Sequence, residues 1–266
     1  MTADDTPQPT EYFGDTVTEE PALRMPDPII EPIIDFDALG LGPDGDATRA
    51  GPKLWVPDAD TRLRMPARGP YAKGHPVGAV VHFTAGRSEA GDADAERTVA
   101  YGKSQGHCYF CISRTGRLYQ TAPLSHWGYH AGESHHPGLG DGLSRHLVGI
   151  EICNAGLVTP TEKGFEPWWN KPGAAANTYY TAADVRYVTA GANITATGHY
   201  HRYTEAQEAT LFRLLGWLHA NAPAVFETRY VLGHDEIAPK RKTDPGGALS
   251  MTMAALRTRL ESGPVG

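Results

Sequence analysis

The sequence predicts a fold of the α/β or mixed α+β class, and three observations carry that prediction. The run Val77–Phe83 (VGAVVHF) is β-branched and bounded by Pro76 and the turn Thr84-Ala85-Gly86, which is how a buried strand reads. From Thr204 onward, Leu211, Leu214, Leu215 and Leu218 fall on one face of a helix. Strand and helix patterns interleave along the rest of the chain, with no internal repeat.

The remaining elements follow in order. Residues 1–50 are rich in Pro, Asp and Gly, and their apolar patches are broken by prolines. They read as an extended arm on the domain surface or as a disordered tail. Gly51–Pro76 is a transitional, turn-rich stretch. The domain division is therefore an irregular arm over 1–70 and one folded domain over 71–266. Asp92–Ser104 is Ala-rich with early acidic residues, a helix signature. Cys108–Ser113, the turn Arg114-Thr115-Gly116 and Arg117–Thr121 predict a β-hairpin. His146–Cys153 (HLVGIEIC) is another strand. Phe165–His201 shows no clear period, so an inserted loop region is expected over about 160–203. Thr204 and Gln207 form a capping box for the long helix. Tyr230–Gly233 is a short strand, and Ser250–Leu260 a closing helix.

Composition narrows the function. The 266 residues suit one large domain with extensions or two small ones. With 24 basic and 31 acidic residues the net charge is −7, which disfavours binding of bulk nucleic acid or of an anionic membrane surface. No apolar run reaches the roughly 18 residues of a transmembrane helix, so no membrane insertion is expected. The N-terminus has neither a basic nor an apolar signal region, and three cysteines make no disulfide framework. Synthesis in a reducing cytoplasm is expected. The sequence gives no oligomeric state.

Chemistry concentrates in three places. His82 ends the first buried strand; His234, Lys242 and Asp244 lie in GHDEIAPKRKTDPGG (Gly233–Gly247); Glu151 sits inside an apolar strand. Two imidazoles and a carboxylate from His82, His234 and Asp244 suit a catalytic zinc, which takes three protein ligands and keeps one position open. Glu151 can serve as the base for water, and Lys242 can face the same cleft. Each signal alone also fits a bland role: a structural histidine, a solvated glutamate, a turn.

Other candidates carry less. Cys108 and Cys111 lie three apart on a strand, so they point to opposite faces and fit packing better than metal binding. His135-His136 fits a solvated loop, His199 and His201 a same-face pair, and Trp168-Trp169 either a sugar-stacking surface or packing anchors.

Four motifs in one order resemble the zinc-dependent N-acetylmuramoyl-L-alanine amidases, the superfamily of peptidoglycan recognition proteins and phage endolysins. They are His82-Phe83-Thr84-Ala85-Gly86, Trp127-Gly128-Tyr129-His130-Ala131-Gly132, Gly149-Ile150-Glu151 and the Gly233–Gly247 run. The resemblance spans about Gly78 to Leu260 and implies a central mixed β-sheet flanked by helices. It implies one Zn2+ per chain on His82, His234 and Asp244, with Glu151 and Lys242 catalytic. Thr84, Trp127, His130 and Asn154 would bind substrate. A third ligand of Asp rather than Cys points away from the animal recognition proteins. The tyrosine that some members carry on the hairpin has no clear counterpart, since Cys108 falls there and Tyr109 beside it. The implied activity is hydrolysis of the amide between N-acetylmuramic acid and L-alanine of the peptidoglycan stem peptide, in a lytic setting. Muropeptide recycling, a delivered antibacterial toxin and a non-catalytic peptidoglycan-binding module are the rivals.

Overall fold

Nine strands and three helices position the site. In chain order the strands are β1 (Gly78–Phe83), β2 (Phe110–Ile112), β3 (Leu118–Gln120), β4 (Leu147–Ile152), β5 (Leu157–Thr161), β6 (Gly164–Pro167), β7 (Val185–Val188), β8 (Gly198–His201) and β9 (Val231–Gly233). The helices are α1 (Ala93–Gln105), α2 (Glu205–Asn221) and α3 (Met253–Glu261). This computed structural model describes residue 39 and residues 41–47, 49–65, 68–88, 90–105, 109–191 and 196–262.

The central sheet runs β9-β1-β4-β2-β3. Its first four strands are parallel, and the hairpin strand β3 closes the edge antiparallel. Parallel strands need cover on both faces, which is why β1 and β4 are apolar almost throughout. Side chains alternate between the faces. On one face Ala79, Val81, Phe110, Ile112, Val148, Ile150 and Ile152 pack on α2 and α3, through Leu211, Leu214, Leu215, Leu218, Met253 and Leu256. On the other face Cys111, Tyr119 and Cys153 lie with Ala95 and Val99 of α1, while Val80, Leu147 and Leu232 lie with Ala131, Leu143 and Ile237. His82 and Glu151 are register partners on β1 and β4, on this second face.

The predicted capping box at the start of α2 is present. Thr204 Oγ1 accepts from the Gln207 N–H at 3.1 Å, and Gln207 Oε1 accepts from the Thr204 N–H at 3.0 Å. The fully buried Gln207 amide also donates to the Cys153 carbonyl at 2.8 Å, tying the helix to the end of β4.

Two sequence expectations change. The region 160–203 is not all loop: with the residues just before it, it builds a second, four-stranded antiparallel sheet in the order β6-β5-β8-β7, joined by long irregular connections. Both of its faces are partly covered. Val158 and Val185 pack with Phe165, Trp169 and Tyr180, whereas Tyr200 and Val188 pack on Gly246 and Gly247. Strands buried on both sides lose the simple apolar–polar alternation, so the period was invisible. The arm expected over 1–70 is partly tucked in. Leu54, Trp55 and Met65 are buried, and the Asp46 carboxylate accepts the N–H groups of Leu54 and Trp55. Residues 1–38 and Cys108 lie outside the described residues. No helix among the described residues is long and apolar enough to cross a membrane.

Leu215 is fully buried where α2 meets the sheet. Leu215→Ala should cost about 2–5 kcal/mol of unfolding free energy, read by urea denaturation.

Candidate active site

Three donor atoms from distant parts of the chain converge at the C-terminal end of β1. His82 Nδ1 lies 2.9 Å from His234 Nδ1 and 3.0 Å from Asp244 Oδ2, and His234 Nδ1 is 3.0 Å from the same oxygen. All three residues are buried. The parallel pairing of β9 with β1 brings Gly233 beside Val81 and so delivers His234 next to His82. The Asp235 N–H donates to the Asp244 carbonyl at 2.8 Å, holding the loop of the third residue against that of the second.

The hydrogen bonds behind the histidines fix which ring nitrogens carry protons. His234 Nε2–H donates to the Ala131 carbonyl at 3.0 Å, leaving Nδ1 with its lone pair. His130 Nε2–H donates to the Leu147 carbonyl at 2.8 Å, so His130 Nδ1 accepts. The donor to it is His82 Nε2–H at 3.1 Å, which leaves His82 Nδ1 unprotonated as well. Two imidazole lone pairs and one carboxylate oxygen therefore face a common point with no proton to share. Burial, then the nearby His234, pulls His82 down to about 4. Burial, then His82, holds His130 well below its ordinary value. Both rings stay neutral.

This donor set fits a cation. Atoms coordinating a tetrahedral zinc at about 2.0–2.1 Å stand about 3.3 Å apart, close to the spacing seen here. His82, His234 and Asp244 form the only group of this kind among the described residues. Each imidazole has its second nitrogen bonded, as metal-ligating histidines normally do.

Gly149 explains how His130 reaches its place. A Cβ on Gly149 would stand 2.5 Å from the His130 ring, so only glycine lets the ring lie against β4. Two residues on, Glu151 points to the same face. Its Oε2 is buried and has no hydrogen-bond partner among the described residues. Burial, and next the Asp244 charge, push the carboxyl up to about 8, while Lys242 pulls it down. The Lys242 charge also lowers His82, as the smallest of the contributions there.

Of the residues expected to bind substrate, Asn154 and His130 have their polar atoms engaged within the protein, while Thr84 and Trp127 are partly exposed. Asn154 is fully buried, with its amide donating to the His201 carbonyl at 2.8 Å and its Oδ1 accepting from the Gly156 N–H at 2.7 Å. It shapes the turn after β4 instead of facing substrate. His130 has both ring nitrogens engaged behind His82. Thr84 is half-buried and accepts the Gly86 and Asn154 N–H groups at 3.2 Å each. Trp127 is half-buried, with the Arg145 guanidinium 5.6 Å from its ring. Tyr109 is buried and its hydroxyl donates to the Pro123 carbonyl.

The lesser candidates resolve similarly. Cys111 packs against Cys153 with the sulfurs 3.8 Å apart. His135 pairs with Asp141 at 2.7 Å. His201 stacks on Tyr180 at 4.1 Å, and His199 meets Phe165 and Tyr187. Trp168 is 42% exposed and its indole donates to the Ala85 carbonyl at 2.8 Å, beside the turn that follows His82. Sequence reading missed the carbonyls of Ala131 and Leu147, and the Tyr203 hydroxyl, which donates to the His82 carbonyl at 2.9 Å. A backbone acceptor leaves no residue-type signal to find.

The raised Glu151 carboxyl makes a pH prediction for metal-free protein. Between its ordinary 4.5 and about 8 the folded chain holds a proton that the unfolded chain has released. Stability from this group therefore falls as pH rises through that window. Glu151→Gln has no such proton to lose. In chelator-treated protein, its melting temperature should gain on the wild type between pH 5 and pH 9. A constant difference would mean that Glu151 is solvated.

The N-acetylmuramoyl-L-alanine amidase family model matches residues 72–247, which contain all three donor residues, Glu151 and Lys242. Solved structures give distant likenesses. A selenomethionine derivative of AmpD is 21% identical over 77% of this chain and 95% of its own, with a TM-score of 0.46. AmiD from E. coli, solved with the substrate anhydro-N-acetylmuramic acid-L-Ala-D-gamma-Glu-L-Lys, is 20% identical over 70% of this chain and 57% of its own, with a TM-score of 0.43. A mutant endolysin from Bacillus subtilis is 18% identical over 77% of this chain and 92% of its own, with a TM-score of 0.39. Comparison with curated proteins gives no match. The family match spans well over half of the sequence, and on that ground the chain belongs to the N-acetylmuramoyl-L-alanine amidase family.

Proposed function

We propose that this amidase is zinc-dependent and cleaves the amide between the lactyl group of N-acetylmuramic acid and L-alanine of the stem peptide. The observation that carries the zinc reading is the set of three lone pairs on His82, His234 and Asp244, aimed at one point and held there from behind. Zinc in such a site supplies Lewis acidity, lowering the pKa of water toward about 7 and polarising a carbonyl.

The chain's own residues supply the rest. Glu151, whose buried Oε2 lacks a partner, takes a proton from the attacking water and delivers it to the leaving nitrogen of L-alanine. Lys242 places an ammonium where negative charge grows on the scissile oxygen. His130 keeps His82 in the tautomer that presents Nδ1.

We further propose a lytic role, with the enzyme acting on the cell wall after release from the cell that makes it. The inserted sheet, with Trp168 beside the turn after His82, supports this reading by adding surface beyond what a small soluble muropeptide needs. Faster turnover on soluble muropeptides than on intact sacculi would favour recycling instead.

Two experiments test the chemistry. Purified enzyme incubated with defined muropeptides should release a stem peptide that begins at L-alanine, identified by mass spectrometry. Elemental analysis of the same protein should find one zinc per chain, and chelator should abolish turnover. Cleavage at another bond, or full activity without metal, overturns the reading.

Substitution separates the two proposed catalytic side chains. Glu151→Gln with zinc retained should lose about 10²–10⁴-fold in turnover. Lys242→Ala should lose about 10²–10³-fold in kcat with little change in fold or substrate affinity. A solvated loop lysine would instead leave kcat at the wild-type value.

A further inference from the structure

The loop that carries Asp244 has little of its own to hold it. After Asp244 come Pro245, Gly246, Gly247 and Ala248, none with a polar side chain, and Gly246 adopts φ +45°. Yet the Asp244 carboxylate must stay within 3.0 Å of two imidazole nitrogens that offer it no proton. Three unprotonated donors so close repel one another, so contacts from outside the cluster help to fix the backbone that carries them.

The second sheet is what meets this loop. Arg186 on β7 donates from one guanidinium nitrogen to the Gly247 carbonyl at 3.0 Å and to the Leu249 carbonyl. Tyr200 on β8 is fully buried and lies flat against the two glycines. A Cβ on Gly246 would stand 2.5 Å from its ring, and one on Gly247 would stand 2.8 Å from both the ring and Val188. Just beyond β8, the Tyr203 N–H donates to the Ala248 carbonyl at 2.9 Å, while its hydroxyl donates to the His82 carbonyl at 2.9 Å. One stretch of inserted chain thus touches the backbone of the first donor residue and the loop of the third.

We infer that the inserted sheet is a clamp that sets the Asp244 arm of the metal centre, with Arg186 and Tyr200 as its positioning residues. The inference rests on the zinc reading above. The clamp acts by preorganisation: it restrains the loop before the ion arrives, so that less ordering remains to be done on binding. The glycines are part of the device, because they let the aromatic ring and the Val188 methyls come within contact distance of the loop backbone.

The test is zinc affinity of folded, metal-free protein, measured by competition with a chromophoric chelator, with circular dichroism to confirm the fold. Arg186→Met should weaken zinc binding about 10-fold, near the lower end of what outer-shell partners contribute. Arg186→Lys, which keeps a donor but not the reach to both carbonyls, should fall between. Gly247→Ala should weaken binding from the loop side, and Val188→Ala in that background should restore part of it. If Arg186→Met does not fold, Arg186→Lys and the Gly247/Val188 pair decide. A purely structural sheet predicts lower thermal stability with zinc affinity unchanged in all of them, and that result overturns the clamp. Failure of the wild type to bind zinc is a different outcome: it removes the zinc reading and the clamp with it.

Discussion

The site depends on a relay of hydrogen bonds that ends in unprotonated nitrogen. The Leu147 carbonyl fixes His130, His130 fixes His82, and the Ala131 carbonyl fixes His234. Each link is an ordinary bond of 2.8–3.1 Å. Together they leave three electron pairs crowded at one place in the interior. That crowding is unfavourable in isolation, and the fold sustains it because the rings are buried and neutral and the backbone around them is bonded. The arrangement suits a positive charge, which supports the zinc reading over a cluster of structural histidines.

The sheet separates stability from chemistry through the two-residue period of its strands. One face of β1 and β4 gives Val81, Ile150 and Ile152 to the helices, and the other carries His82 and Glu151, the residues proposed for the reaction. The three donors proposed for one ion come from residues 82, 234 and 244, and the parallel pairing of β9 with β1 makes the first two neighbours. Sequence distance is thereby traded for precise register, since a slip of one residue would turn His82 into the core.

Much of this was legible in the sequence. The β1 run, the α2 leucine face and the Thr204–Gln207 cap could be read because each rests on local pattern. The donor residues and Glu151 were legible as motifs, although their meeting point is a property of topology. Three things were not. The inserted sheet hid behind strands covered on both faces. Asn154, taken for a groove residue, is polar because it closes a turn in the interior. His130, likewise taken for the groove, serves the neighbouring imidazole, and that service runs through backbone carbonyls that every residue possesses.

Gly149 has a consequence for anyone trying to strengthen this enzyme. By strand propensity it is the weakest residue of β4, and stability design would replace it with valine or isoleucine. The replacement would fit the sheet's hydrogen bonding but would occupy the space of the His130 ring. Evicting that ring frees His82 to take the other tautomer, so on the zinc reading the damage would reach metal affinity as well as packing. The emptiness of one strand position is thus part of the proposed metal site, although that residue has no side chain to give it.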